Sequence, residues 1–197
     1  MEKKDLKPAG VFKYFEEICQ VPRPSKKEEK MIAYLKTFGA KHNLETKVDE
    51  AGNVLIKKPA TPGKENLQTV VLQSHIDMVC EKNNDVQHDF LTDPIETEID
   101  GEWLKAKGTT LGADNGIGVA TELAILADDS IEHGPLECLF TVDEETGLTG
   151  AFALQEGFMS GDILLNLDSE DEGEIFIGCA GGIDSVAEFT YKEVEVP

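Results

Sequence analysis

The sequence predicts an α/β fold in which the strands of one sheet alternate with helices. Three apolar, strand-like runs at 67–75, 136–142 and 163–168 are separated by segments whose apolar residues recur at helical spacing. This alternation is typical of a layered sheet with helices packed on it. With 197 residues, of which 40% are hydrophobic and 29% charged, the chain is long enough to bury one core.

Two helices and a hairpin are predicted ahead of the first buried strand. Apolar residues recur at helical spacing after Pro8, which indicates a first amphipathic helix. Ser25 and Glu28 have the spacing of a capping box and predict the start of a second helix, which ends near His42. Alternating residues on both sides of 50–52 predict a hairpin.

The segments after the first buried strand complete the alternating pattern. In order, the sequence predicts an irregular polar stretch at 81–100, a short strand at 103–107, a helix at 116–127, a short helix at 151–155 and two further strands at 174–178 and 185–191. The helix at 116–127 begins just after Asp114, at a glycine-rich turn. These elements fit one domain.

The charge balance of the chain is strongly acidic. Lys and Arg number 18 against 39 Asp and Glu, which gives a formal net charge of -21 at pH 7. A nucleic-acid backbone or an anionic membrane surface would be repelled, so neither is expected as a partner. The first residues lack the apolar stretch of a secretory signal, and no run is long enough to span a bilayer. We expect a cytoplasmic protein.

Four residues with metal-binding side chains stand where strand-like runs or glycine-rich turns end: His75, Asp114, Glu145 and Asp168. In open α/β sheets the ligand crevice lies beyond the carboxyl ends of the strands, where loops converge. Imidazole and carboxylate groups are common zinc ligands. The sequence therefore predicts a metal site with hydrolytic chemistry.

His75 and Asp77 are two residues apart at the end of an extended run. Residues at this spacing face the same side of a strand, so the carboxylate of Asp77 can contact the imidazole of His75. A carboxylate that orients a metal-bound imidazole is a common arrangement. The alternative is a solvated His–Asp pair at a strand end.

Asp114 has two interpretations. It precedes a predicted helix, so it can be an N-cap. The three neighbouring glycines, Gly112, Gly116 and Gly118, exceed what a cap needs and would let the backbone approach an ion. The second interpretation makes Asp114 a carboxylate that bridges two metals.

The acidic turn at 143–145 directly follows an apolar strand-like run. Three consecutive carboxylates there require compensation by solvent or by a cation. Adjacent glutamates on a turn can point in different directions, so one binds an ion while the other accepts a proton. The acidic segment after Asp168 does not fit a calcium loop, because Cys179 occupies the position of the twelfth-residue glutamate.

Four segments in this order resemble the motifs of the aminoacyl-histidine dipeptidases: Ser74-His75-Ile76-Asp77-Met78-Val79, Gly112-Ala113-Asp114-Asn115-Gly116, Asp143-Glu144-Glu145-Thr146-Gly147 and Leu165-Asn166-Leu167-Asp168-Ser169. The resemblance runs through nearly the whole chain and includes the turn at 178–182. It extends to the wider superfamily of two-zinc exopeptidases and aminoacylases. The fold it implies is a mixed sheet with helices on both faces.

The resemblance also implies a role for each residue. The implied zinc ligands are His75 and Asp168 on one ion, Glu145 on the other, and Asp114 bridging both, with a cis peptide bond after Asp114. Asp77 would orient His75, and Glu144 would be the general base toward the attacking water. The implied substrates are dipeptides with a free amino end and often a C-terminal histidine.

Proteins of the resembled family are much longer than 197 residues. In them a lid and dimerisation domain follows the first catalytic segment, and a returning segment supplies the last zinc ligand, a histidine. Residues 1–197 are therefore expected to be the N-terminal part of the catalytic domain, with the lid domain absent. His42, His88 and His133 stand outside the four motifs, so the second zinc site is expected to be incomplete.

Three functions remain open from the sequence. The first is a two-zinc Xaa-His dipeptidase, the second an aminoacylase or other amide hydrolase with the same metals, and the third a metal-binding chain without catalysis. A chain of this length is expected to expose an apolar face and to self-associate as a homo-oligomer.

Overall fold

The computed structural model of the chain describes residues 3–169, 171, 173–179, 181–183 and 185–192. Its helices are α1 (Ala9–Cys19), α2 (Glu29–Lys41), α3 (Ala113–Ala127) and α4 (Thr149–Ala153). Its strands are β1 (Glu45–Val48), β2 (Val54–Lys58), β3 (Val70–His75), β4 (Thr97–Asp100), β5 (Trp103–Ala106), β6 (Leu136–Thr141) and β7 (Ile163–Asn166). No helix in these described ranges combines the length and apolarity needed to cross a membrane.

A five-stranded mixed sheet in the order β1-β2-β6-β3-β7 forms the framework. Strand β2 pairs antiparallel with β1 and with β6, whereas β3 pairs parallel with β6 and with β7. His75 is in register with Thr141, and Gln73 is in register with Asn166. The carboxyl ends of β3, β6 and β7 therefore meet at the same end of the sheet, as the predicted α/β fold requires.

Both faces of the sheet are covered. Helices α1, α2 and α3 pack on one face, where the core includes Phe15, Leu35 and Leu123. The other face carries a smaller cluster, formed by Leu55, Val71 and Leu139 with Leu154, Phe158 and Met159 from the end of α4 and the loop after it. Because side chains alternate along a strand, neighbouring residues of β2 contribute to opposite faces.

Two predictions for the strands are wrong. The described residues of 174–178 and 185–191 form no strand, and Ile175 is 93% exposed. A strand needs a neighbour that accepts its backbone hydrogen bonds, and none lies beside these segments in the part of the chain that is described. In addition, β4 lies inside the stretch predicted to be irregular, where it pairs with β5 in a separate two-stranded sheet.

Candidate metal centre

The predicted ligands converge at the carboxyl end of the parallel strands. His75 is the last residue of β3, and Asp114 lies in the first turn of α3. The turn with Glu144 and Glu145 follows β6, and Asp168 follows β7. Since β3 lies between β6 and β7, its terminal imidazole is flanked by the loops that leave both neighbouring strands.

The imidazole of His75 is the centre of the cluster. Its Nε2 atom lies 3.0 Å from Asp114 Oδ1, 3.7 Å from Asp168 Oδ1 and 4.0 Å from Glu144 Oε2. The ligand atoms of His75, Asp114 and Asp168 all lie within 4.8 Å of one another, as do those of His75, Glu144 and Glu145. These two groups have the donor types and the spacing that a zinc site uses.

The side chains of the cluster differ strongly in their exposure to solvent. The imidazole of His75 is 1% exposed, whereas the side chains of Asp168 and Glu144 are 25% and 32% exposed. Asp114 is 58% exposed and forms the outer wall of the cluster. The site is therefore closed at its histidine and open at its carboxylates.

Electrostatics within the cluster favour a bound cation. Burial and the neighbouring Asp114 carboxylate raise the pKa of Asp168 to about 6, against the opposing effect of His75. For His75, burial lowers the pKa, but the contact with the Asp77 carboxylate and the charge of Asp168 outweigh burial and raise the pKa to about 9. A divalent ion between these groups would relieve the repulsion between carboxylates.

Asp77 supports both the imidazole and the acidic turn. Its Oδ1 lies 3.2 Å from Nδ1 of His75, on the far side of the ring from the carboxylate cluster. The same carboxylate accepts the backbone N–H groups of Glu144 and Glu145, at 3.0 and 3.2 Å. Burial raises the pKa of Asp77, but the imidazole of His75, the backbone N–H of Glu144 and the hydroxyl of Ser25 outweigh burial and lower the pKa to about 2.

Ser25 and Glu28 belong to this support, so the predicted capping box is wrong. Helix α2 begins at Glu29, and no side chain caps it. Ser25 instead donates its hydroxyl to Asp77 Oδ2 at 2.7 Å, and Glu28 Oε1 accepts the backbone N–H of Asp143 at 3.0 Å. The spacing of Ser25 and Glu28 gave no sign of contacts with residues so far along the chain.

The negative charge of the acidic turn at 143–145 is compensated largely by hydrogen bonds. A third group of neighbouring carboxylates, which is buried, consists of Glu28, Asp77 and Asp143. Its oxygens accept hydrogen bonds from Ser25, from the hydroxyl of Thr146 at 2.5 Å, and from backbone N–H groups. Glu144 and Glu145 have only their backbone groups engaged in this network, which leaves their carboxylates beside His75.

Asp114 is not a helix cap. The N-cap position of α3 is Gly112, and no side chain caps the helix there. The peptide bond between Asp114 and Asn115 is cis, as the family resemblance implies, and both residues depart from helical dihedral angles. Asn115 donates its side-chain amide to Asp168 Oδ1 at 2.8 Å, which connects the start of α3 to the loop after β7.

The other three histidines lie apart from the cluster. The ring of His42 packs 4.4 Å from that of Phe38, and the ring of His88 packs 4.4 Å from that of Phe90. His133 Nδ1 lies 2.7 Å from the carbonyl oxygen of the following Gly134. His75 is therefore the histidine that both candidate ligand groups share.

A cavity of about 220 Å³ adjoins the cluster. Glu144 and Asp168 form its end nearest the imidazole, and Gln73, Leu139 and Leu164 continue it along the face of the sheet. Its walls are mostly apolar away from the carboxylates.

Comparison with known proteins shows which proteins this chain is similar to. The chain is 52% identical over 196 residues to the cytosol non-specific dipeptidase of Escherichia coli, covering 100% of this chain and 40% of that protein. The crystal structure of aminoacylhistidine dipeptidase from Vibrio alginolyticus is 57% identical, with a TM-score of 0.85 over 88% of this chain and 35% of that one. Aminopeptidase PepT from Bacillus cereus is 26% identical, with a TM-score of 0.70 over 82% and 43% of the two chains.

These proteins are longer than the chain described here, which spans about 40% of the length of the Escherichia coli relative. A sequence profile described as peptidase family M20/M25/M40 matches residues 71–193, a range that includes His75, Asp114, Glu145 and Asp168. The chain belongs to peptidase family M20/M25/M40.

Proposed function

We propose that this chain carries the metal-binding and proton-accepting groups of a zinc dipeptidase. The observation that supports it best is the position of His75. Its Nε2 faces carboxylates from α3 and from the loops after β6 and β7, while its Nδ1 faces Asp77. An imidazole held from behind by one carboxylate, with further carboxylates around its other nitrogen, has the arrangement that a metal ion bound between these groups requires.

The proposed metal ligands are His75 and Asp168 for one zinc ion, Glu145 for the other, and Asp114 as the bridge. Bound zinc would supply Lewis acidity toward the peptide carbonyl and lower the pKa of the attacking water. Both candidate ligand groups that contain a histidine contain His75. Because His75 is assigned to the first ion, no histidine among the described residues is assigned to the second, which is proposed to bind more weakly.

Glu144 is the proposed general base. Its backbone N–H is fixed by Asp77 at 3.0 Å, and its carboxylate Oε2 lies 4.0 Å from His75 Nε2. In this position the carboxylate can accept a proton from the attacking water and deliver it to the leaving amine nitrogen. Such proton transfer contributes about 10²–10⁴-fold to rates.

The proposed substrates are dipeptides, including those with a C-terminal histidine. The names of two relatives, a cytosol non-specific dipeptidase and an aminoacylhistidine dipeptidase, support this class. The first name also supports a cytoplasmic location. Self-association into a homo-oligomer is proposed because apolar side chains such as Leu164 and Phe189 are exposed.

The experiment that tests this function uses the Glu144→Gln variant of the intact protein. We expect loss of Xaa-His hydrolysis by about 10²-fold or more, with zinc content unchanged. The exposed Glu156, in the loop after α4, provides the control Glu156→Gln, which should hydrolyse at the unsubstituted rate. Undiminished hydrolysis by Glu144→Gln would remove this residue from the mechanism.

Two further outcomes separate the alternative functions. Preference for N-acyl amino acids over dipeptides would indicate an aminoacylase. Zinc binding without cleavage of either substrate by the unsubstituted protein would indicate a metal-binding role without catalysis.

A further inference from the structure

Arg23 connects the two segments that carry the central ligands. Its side chain is buried, and Nη1 donates to the carbonyl oxygens of Ile76 at 3.0 Å and Asp77 at 3.1 Å. Its Nη2 donates to the carbonyl oxygen of Gly112 at 2.6 Å. One guanidinium therefore bonds the chain just after His75 and the chain just before Asp114.

The glycines next to Asp114 provide the space for this guanidinium. A Cβ atom on Gly112 would lie 2.6 Å from Nη2 of Arg23, and a Cβ atom on Gly116 would lie 2.7 Å from the same atom. Both distances are shorter than any real contact of a Cβ atom. At Gly112 the left-handed φ of +68° and the sulfur of Met78 also favour glycine, whereas at Gly116 the nearest atom is Nη2 of Arg23. Glycine at these two positions is therefore explained without close approach of the backbone to an ion.

The chemistry of these contacts favours arginine specifically. Burial of a cation is costly unless its donors are satisfied, and among the described residues its hydrogen bonds all go to backbone carbonyls. A planar guanidinium can bond several carbonyls from fixed directions, whereas a lysine ammonium is a compact charge on a flexible chain. Arg23 thus fixes a distance between two backbone segments.

We propose that Arg23 is a positioning residue of the metal centre, which holds the end of β3 and the start of α3 at the separation that the metal ligands need. In the structure, the separation between the end of β3 and the start of α3 places His75 Nε2 3.0 Å from Asp114 Oδ1. This proposal rests on the proposed zinc site. It assigns to Arg23 no contact with the metal or the substrate.

The test measures zinc affinity in the intact protein by competition with a chromophoric chelator. The variants are Arg23→Lys, which keeps the charge, and Arg23→Met, which removes it. Both are expected to weaken zinc binding by about tenfold or more, because loss of a group that orients ligands has effects of that size. A purely electrostatic role of the charge predicts instead that Arg23→Lys retains the affinity.

Lys58 provides the matched control. It is also buried, and its Nζ donates to the carbonyl oxygens of Ile125 and Asp128 at the opposite end of α3. We expect Lys58→Met to lower the melting temperature as the Arg23 variants do, with zinc affinity within twofold of the unsubstituted protein. Equal loss of affinity in Lys58→Met would mean that general destabilisation weakens the site, and the proposal would be overturned.

If the Arg23 variants do not fold, zinc affinity is measured in a different variant. Gly116→Ala keeps the arginine but places a methyl group against Nη2, so it should also weaken zinc binding. Unchanged affinity in any folded variant of Arg23, or in Gly116→Ala if none folds, overturns the proposal. If the unsubstituted protein binds no zinc, the proposed function fails first, and the positioning role fails with it.

Discussion

The carboxylate of Asp77 lies behind the imidazole of His75, with Oδ1 3.2 Å from Nδ1. This contact leaves Nε2 as the ring atom that faces the cluster of carboxylates. The orientation of the proposed metal ligand therefore depends on a residue that does not itself face the cluster.

Asp77→Asn should weaken zinc binding by about 10–100-fold, because the neutral amide no longer holds the imidazole or accepts the turn's N–H groups as strongly. Zinc affinity from chelator competition is the measurement. Asp128→Asn is the control, since Asp128 is an exposed carboxylate that accepts hydrogen bonds from Ser130 far from the cluster. Equal affinities for Asp77→Asn and the unsubstituted protein would contradict the orienting role.

Zinc binding should release a proton at about pH 7. In the metal-free protein the pKa of His75 is raised to about 9, so the imidazole is protonated at this pH, whereas a metal ligand must be neutral. Affinity should therefore rise with pH and level off above about 9. Calorimetry in buffers of different ionisation enthalpy measures the released proton, and a binding heat independent of buffer would contradict the prediction.

Zinc should raise the melting temperature of the unsubstituted protein, because a ligand that binds only the native state stabilises it. Asp168→Asn should reduce this rise, since its carboxylate belongs to the candidate ligand group with His75. Asp171→Asn, three residues further along and exposed, should leave the rise unchanged. A thermal-shift titration in which both variants respond alike would remove Asp168 from the site.

Glu122→Gln should make stability less dependent on pH. Glu122 is fully buried, and its Oε1 accepts the hydroxyl of Ser74 at 2.7 Å. Burial raises its pKa well above 4.5, so the native state holds a proton that the unfolded chain loses. The contribution of the Glu122 carboxyl group to the free energy of unfolding is fully present below about pH 4.5. This contribution falls as the pH rises toward the pKa of Glu122 in the native state.

Unfolding by urea at about pH 6 and about pH 9 measures this effect, because glutamine is neutral at both values. The loss of stability between the two should be smaller in Glu122→Gln than in the unsubstituted protein. Glu132→Gln serves as the control, since Glu132 is exposed and pairs with Lys64. An equal loss in Glu122→Gln and the unsubstituted protein would show that Glu122 is not neutral in the native state.

The placement of the cluster could be predicted because it depends on local patterns. Runs of apolar residues identify β3, β6 and β7, and parallel strands bring their carboxyl ends together. The contact between His75 and Asp77 follows from the sequence, since residues two apart face the same side of an extended chain. Each of these inferences needs only the residues within one segment.

Contacts between distant segments could not be predicted in this way. Ser25 and Glu28 match a capping box locally, but their partners Asp77 and Asp143 lie on other loops. Nothing in the sequence distinguishes Arg23, because its acceptors are backbone carbonyls and leave no trace in side-chain types. Likewise, the alternation around Ile175 is a strand pattern, but pairing depends on a neighbouring strand.

The unequal exposure of the cluster would set the order in which a cation meets the proposed ligands. A hydrated ion arriving from solution meets Asp114, which is 58% exposed, before it reaches the imidazole of His75, which is 1% exposed. The first encounter is therefore governed by long-range attraction, strengthened by the net charge of -21. The association rate should fall as ionic strength rises, while the dissociation rate depends on the buried nitrogen.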